Sequence, residues 1–294
     1  MEQTVLREDT AAGAARGGGL PLLHILWFAA LLVLCYWPVI GNVTHQWRVS
    51  DDMVHGLFVP PIAAYIAWER RAEWMAVPVR RCGWGLFLIV WGAVQACLGA
   101  LGAEIFTERV AMMVSIYGIV LYFAGWRVFR TLLFPLMLLW FMLPVPGIVY
   151  KQITFPLQLL ASRLAEWGME LAGYMVLREG NVLELAGRKL SVVEACNGIR
   201  ALLSLSFFSL AYAHLSSGRG WMRWALLASA IPVAVTANAA RVMATGILGE
   251  YDPRLAEGFF HGFSGWVIFV FAIVTLVAIE RLLSWMGARK AGAR

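Results

Sequence analysis

The chain has 294 residues, of which 61% are hydrophobic and only 14% charged, whereas a soluble domain keeps about a quarter of its residues charged. With a mean hydropathy of +0.71, this composition excludes a water-soluble globular protein and points to a polytopic membrane protein. The net charge of +6 suits cytoplasmic loops and not nucleic acid, because no basic patch is interleaved with aromatic residues.

Residues 1–19 are polar and Gly/Ala-rich and read as a disordered cytoplasmic tail. The apolar run Leu20–Ile40 ends without a small-residue cleavage site, so it reads as a retained span and not as a signal peptide. Further spans, at ~20 residues each, are expected over Val54–Trp68, Gly83–Leu101, Val110–Gly125 and Val128–Leu143. The fifth ends in Leu143-Pro144-Val145-Pro146-Gly147, where two close prolines stop a helix. Residues 151–177 mix Lys151, Gln152, Arg163, Glu166 and Glu170 with Phe155, Leu160, Trp167 and Leu171. This pattern suits an amphipathic helix lying on the membrane surface, with a short extra span as the alternative. Apolar residues then nearly alternate through 178–193 around Ala186-Gly187, which predicts a small β-hairpin. Three more spans follow, Cys196–Leu215, Trp221–Leu248 and Phe259–Trp285, and residues 287–294 form a basic cytoplasmic tail.

The expected fold is thus an all-α polytopic membrane protein with about eight transmembrane helices over residues 20–286. Orientation follows from Lys and Arg. With the N-terminus inside, fourteen of the 24 basic residues fall in inner loops and tails. The short outer loops hold only Arg48, Arg109 and Arg254, and are rich in acid: Asp51, Asp52, Glu104, Glu108, Glu250, Asp252 and Glu257. Eight spans with both termini cytoplasmic fit this bias and put the amphipathic helix and hairpin on the outer face.

That topology gathers the polar residues of the spans at one depth on the outer side. Arg241 lies about 10 Å below the end of its helix, at 1.5 Å per residue, with Asn238 one turn before it. Snorkelling to headgroups is one reading of Arg241; stabilising a developing anion is the other. His261, between Phe260 and Gly262, is either an interfacial histidine or a general acid/base, since imidazole titrates near neutrality. Cys196 sits in Glu194-Ala195-Cys196-Asn197-Gly198-Ile199-Arg200 where a strand-like segment meets a helix. It is either a packed small hydrophobe or a thiolate stabilised at a helix N-terminus. Arg200 reads as a partner of Glu194 or of a lipid phosphate. The other cysteines, Cys35, Cys82 and Cys97, form no CxxC and read as structural. Asp51, Asp52 and His55 are too common a loop grouping to mark a metal site, and capping of the second span by Asp51 or Asp52 is preferred. No metal or cofactor is expected.

Taken together, the chain resembles the exosortase/archaeosortase family. The landmarks are, in order, Asp52-Met53-Val54-His55-Gly56, Leu143-Pro144-Val145-Pro146, Glu194 to Arg200, Asn238-Ala239-Ala240-Arg241-Val242 and His261-Gly262. Two departures are Asn197, where the family more often has Ser or Ala, and Val54, where it commonly has Ser. The resemblance implies a membrane-embedded sortase analogue in the bacterial inner membrane with its site on the periplasmic face. Its substrates would be exported proteins with a PEP-CTERM-type C-terminal sorting signal: a Pro-Glu-Pro-type motif, a transmembrane helix and a basic tail. Cys196 would be the nucleophile, Arg241 the oxyanion support and His261 the acid/base. Asp52, His55, Glu194, Asn197, Arg200 and Asn238 would bind substrate or support the site. The remaining partners would be membrane lipids and an unidentified surface acceptor. A transporter using Arg241 to bind an anion is the alternative; it calls for internal repeats, and residues 20–143 and 196–285 show no convincing self-similarity.

Overall fold

The computed structural model describes residues 22–78, 80–185, 188–191, 198–216, 220–252 and 258–292. These are mostly helical, with one small sheet, and the chain divides into two compact units, Met1–Pro144 and Val145–Arg294.

In the first unit, helix α1 (Leu22–Cys35) leads into α2 (Trp37–Val49). The pair is bent by 73°, because Pro38 in the first turn of α2 has no N–H to give and its ring crowds the preceding turn. Tyr36 at the bend is buried, and its hydroxyl lies 2.9 Å from Ser115 Oγ and donates to the Gly92 carbonyl at 3.3 Å. A 3-10 turn (Asp51–Leu57) and helix α3 (Val59–Glu69) follow, then the short α4 (Arg71–Met75). The cap expected from Asp51 or Asp52 is displaced: α3 begins after Phe58, without a side-chain cap, and prolines occupy its first turn.

Helix α5 (Gly83–Leu101) packs along α6 (Ile105–Leu138) through glycines spaced by seven, Gly85, Gly92 and Gly99, all buried. A Cβ on Gly85 would lie 2.7 Å from the Gly118 carbonyl oxygen, one on Gly92 3.0 Å from that of Ala111, and one on Gly99 2.8 Å from Glu108 Cγ. Two apolar helices in lipid gain little from burial itself, so close backbone approach through small residues is what holds them. A seven-residue spacing keeps those glycines near one face over the whole contact.

The fourth and fifth expected spans are two helical stretches joined at Gly125, where the chain folds back on itself. Tyr117 and Leu136 would stand about 28 Å apart on a straight helix, yet the Tyr117 hydroxyl donates to the Leu136 carbonyl at 3.0 Å. Arg109 reaches the Pro144 carbonyl in the same sense. The fold-back is at Gly125, with φ 82° and ψ 174°, a conformation essentially restricted to glycine. A side chain there would also meet the Arg80 carbonyl. Arg127 and Arg130 follow the turn, as the charge pattern predicts.

Among the described residues, four helical runs are long and apolar enough to cross a membrane, Gly83–Leu101, Ile105–Met142, Trp224–Tyr251 and Gly265–Met286, and the bent first pair makes a fifth if it is one span. The second expected span is shorter than drawn, a 3-10 turn plus the 11 residues of α3. The sixth holds the apolar helix Leu202–Leu215. Every tryptophan except Trp47 and Trp74 is exposed on the protein surface, as expected for lipid-facing and interfacial residues.

The second unit begins with α7 (Gly147–Leu171). Thr154, Gln158, Ala161, Ser162, Ala165 and Met169 form its buried stripe, while Phe155, Leu160, Trp167 and Leu171 are exposed. A helix is therefore present where the amphipathic one is expected; its inward stripe is small and polar, and its exposed side mixes these apolar residues with Lys151, Gln152, Arg163 and Glu170. Beyond it the expected hairpin is a three-stranded antiparallel sheet: β1 (Leu177–Glu179), β2 (Val182–Leu185) and β3 (Arg188–Ser191), in that order. The added strand pairs across Gly180-Asn181, a glycine-containing two-residue turn that sequence inspection passed over. The turn expected at Ala186-Gly187 lies outside the described residues but between β2 and β3, which pair with Leu185 opposite Arg188. Arg178 on β1 pairs with Glu166 of α7 at 2.6 Å and fastens the sheet to that helix.

Helices α8 (Gly198–Leu215), α9 (Gly220–Tyr251) and α10 (Gly258–Gly292) complete the unit. Helix α9 contacts α7, α8 and α10. One of its sides puts Val242 into a core with Leu183, Leu185, Leu190, Ala165 and Met169. Another puts Leu226, Ala230, Val233 and Ala237 into a core with Leu205 and Ala213 of α8 and Ala272 and Leu276 of α10. The first core seats the sheet on α9, and with it the end of β3 from which the chain runs to Cys196.

Candidate functional site

The residues singled out from sequence fall in both units. Cys196, Glu194 and Asn197 lie outside the described residues. Their neighbours frame them: β3 ends at Ser191 and α8 starts at Gly198. A strand and a helix therefore flank the segment that holds Cys196. Arg200 and His261 lie in the first turns of α8 and α10; their side chains are outside the described residues. Cys35, Cys82 and Cys97 are free thiols.

Arg241 is half-buried in α9, ten residues before the helix ends, and Asn238 one turn earlier is buried. Val233, Ala237 and Arg241 are spaced by four, so the row that packs on α8 and α10 through Val233 and Ala237 leads on to Arg241. On α10 the answering row is Gly265, Ile268 or Phe269, Ala272 and Leu276. The two rows meet at their upper end, where the Arg241 guanidinium rests against Gly265: a Cβ there would be 2.8 Å from Cζ, 2.9 Å from Nη2 and 3.1 Å from Nη1. His261 occupies the register position one helical turn before Gly265 on α10. Arg241 and the helical turn carrying His261 are thus neighbours, although they stand 20 positions apart in the chain. Sequence inspection missed Gly265; the signal available was a small residue four positions after the histidine.

Asp52 and His55 belong to the first unit. His55 is buried, and its Nε2 lies 3.1 Å from the Phe141 carbonyl oxygen, which can only accept, so the ring donates from Nε2. Two further donors take carbonyls of the same segment. Trp47 Nε1 donates to the Met142 carbonyl at 2.9 Å, and Arg109 Nη1 to that of Pro144 at 3.4 Å while its Nη2 donates to Asn42 Oδ1 at 2.7 Å. Arg109, assigned from sequence to an outer loop, is instead buried inside α6. The chain leaves helix geometry at Leu143-Pro144, so the carbonyls of Phe141, Met142 and Pro144 lack helical partners, and side chains from the 3-10 turn, α2 and α6 take them. A side chain on Gly56 would occupy the place of the Trp47 indole, so the His55-Gly56 and Leu143-Pro144 landmarks are parts of one latch. Trp47→Phe keeps an aromatic ring, smaller than the indole, and deletes the donor. It is expected to cost about 1–3 kcal/mol for the buried acceptor left behind, read as a lower thermal midpoint in detergent.

Among the described residues no group of three or more His, Cys, Asp or Glu could hold a metal ion. No curated protein and no solved structure matches the chain. The family model described as transmembrane exosortase matches residues 47–278. That match runs through both compact units and takes in the latch of the first, the cysteine ahead of α8 and the meeting of Arg241 with α10. This chain accordingly belongs to the transmembrane exosortase family, and is a multi-pass membrane protein of the protein-sorting class.

Proposed function

We propose that this exosortase is a cysteine endopeptidase or transpeptidase that cuts a C-terminal, PEP-CTERM-like sorting signal on exported proteins at the outer face of the cytoplasmic membrane. The Cys196 thiolate attacks the scissile carbonyl and forms a thioacyl enzyme. Arg241 stabilises the oxyanion of the tetrahedral intermediate through a fixed, partly desolvated guanidinium. His261 gives a proton to the departing amine. Water, or an amine or hydroxyl of a surface acceptor, then breaks the thioester and restores the thiol. Glu194, Asn197, Arg200 and Asn238 support this site.

The observation that carries this reading is the guanidinium of Arg241 seated on α10 one turn from His261. A cation at that depth is costly unless it has work to do. The test is Arg241→Ala in the reconstituted enzyme, with cleavage of a sorting-signal substrate followed by gel shift. Loss of one oxyanion donor is expected to slow turnover by about 10²–10³-fold. Arg241→Lys should fall between the two, because an ammonium keeps the charge but not the planar fork. Cleavage at the parental rate by Arg241→Ala would refute the assignment.

A further inference from the structure

We propose that Gly265 is a positioning residue for Arg241, the absence of its side chain being what lets the guanidinium lie on the backbone of α10 beside the turn that carries His261. The proposal rests on the oxyanion role assigned to Arg241 above. The three heavy atoms nearest to a Cβ at Gly265 all belong to the Arg241 guanidinium, at 2.8, 2.9 and 3.1 Å. No backbone atom is among them, unlike at Gly85 or Gly118, where helix backbone is in the way. The fold therefore does not need a glycine at 265 to bring α9 and α10 together. That contact is made lower down, by Val233 and Ala237 against Ala272 and Leu276. What a side chain at 265 would displace is the end of one flexible residue, and that end is the group assigned to the oxyanion.

The physical consequences separate. Alanine is a better helix former than glycine in a helix interior, so Gly265→Ala favours α10 or leaves it unchanged. The same methyl group comes within 2.8–3.1 Å of three guanidinium atoms, closer than non-bonded contact allows, and Arg241 must withdraw. Catalytic groups displaced by about 1 Å lose rate by up to about 10²-fold. A glycine that served packing alone would behave in the opposite way, losing stability and keeping chemistry in whatever fraction stayed folded.

The experiment compares wild type, Gly265→Ala and Arg241→Ala, each purified in detergent and reconstituted. It measures kcat and KM for a sorting-signal substrate and the thermal midpoint. The expected result for Gly265→Ala is a fall in kcat of about 10- to 100-fold, KM within about twofold, and a midpoint equal to or above that of wild type. An unchanged kcat in Gly265→Ala, with Arg241→Ala slow, overturns this proposal alone. A lowered midpoint also overturns it, since Gly265 would then be a packing residue. Parental rates in both variants overturn the oxyanion role of Arg241 itself.

Discussion

Replacing Cys196 by alanine is expected to abolish processing of the sorting signal, with a loss on the order of 10⁶-fold when a sole nucleophile is removed. Without the thiolate there is no acyl-enzyme, and an oxyanion donor and a proton donor have no intermediate to act on. Cys196→Ser should retain at most a trace, because a hydroxyl near neutral pH is a far weaker nucleophile than a thiolate. Both variants should keep the thermal midpoint of the parent, since the substitution swaps one small side chain for another. A gel shift of substrate in membranes carrying each variant is sufficient. Processing by the alanine variant would remove the cysteine mechanism whatever Arg241 does. An impermeant thiol reagent gives a second view: as the proposed nucleophile, Cys196 should react faster than an ordinary thiol at neutral pH.

Gly92→Leu is expected to break the first unit. The new side chain has nowhere to go, because its first carbon would already lie 3.0 Å from the Ala111 carbonyl oxygen and in contact with Ser115. Helix backbone does not yield as a side chain does, so α5 and α6 must separate along the whole glycine row. Overpacking of this kind costs about 1–3 kcal/mol or more. The bonds of Tyr36 to Gly92 and Ser115 go with it, at about 0.5–1.5 kcal/mol each. Against a total stability of about 5–15 kcal/mol for a domain, the variant should accumulate poorly and be cut rapidly by protease. Gly83→Leu is the control: it is on the same helix, with nothing within 4 Å of its Cβ, and its midpoint should stay within experimental error of the parent.

Several features of this chain are local properties of composition and spacing, and were legible without coordinates. The membrane environment followed from the small charged fraction. The turn after the fourth span followed from Arg127 and Arg130, and the stop after the fifth from Pro144 and Pro146. The strand before Cys196 and the helix after it followed from a change of period. The order of five short motifs pointed to the family that the profile match then established. The misreadings of Arg109 and of the glycines of α5 have one cause, a partner far away in the chain, and that of Asp51 and Asp52 is local. Arg109 looked like a loop cation because Asn42 and Pro144, which receive its protons, are 67 and 35 residues distant. Asp51 and Asp52 looked like caps because the prolines that start α3 later, at Phe58, had been counted as helix interior. The glycines of α5 looked unremarkable because their role appears only against the backbone of α6.

Arg241 and His261 mark the same division. Each carries its chemistry in its side chain, and the sequence alone determined that a guanidinium and an imidazole stand near the ends of two adjacent apolar helices. Only the tertiary structure decided that the guanidinium of one helix lies on the backbone of the other, one turn from the histidine. That placement needs Val233, Ala237, Ala272 and Leu276 to bring α9 and α10 together and a missing side chain at Gly265 to let the guanidinium in. Helical periodicity says which residues share a face. It does not say which face of the next helix they meet, because that depends on a rotation set by packing over the full length of both.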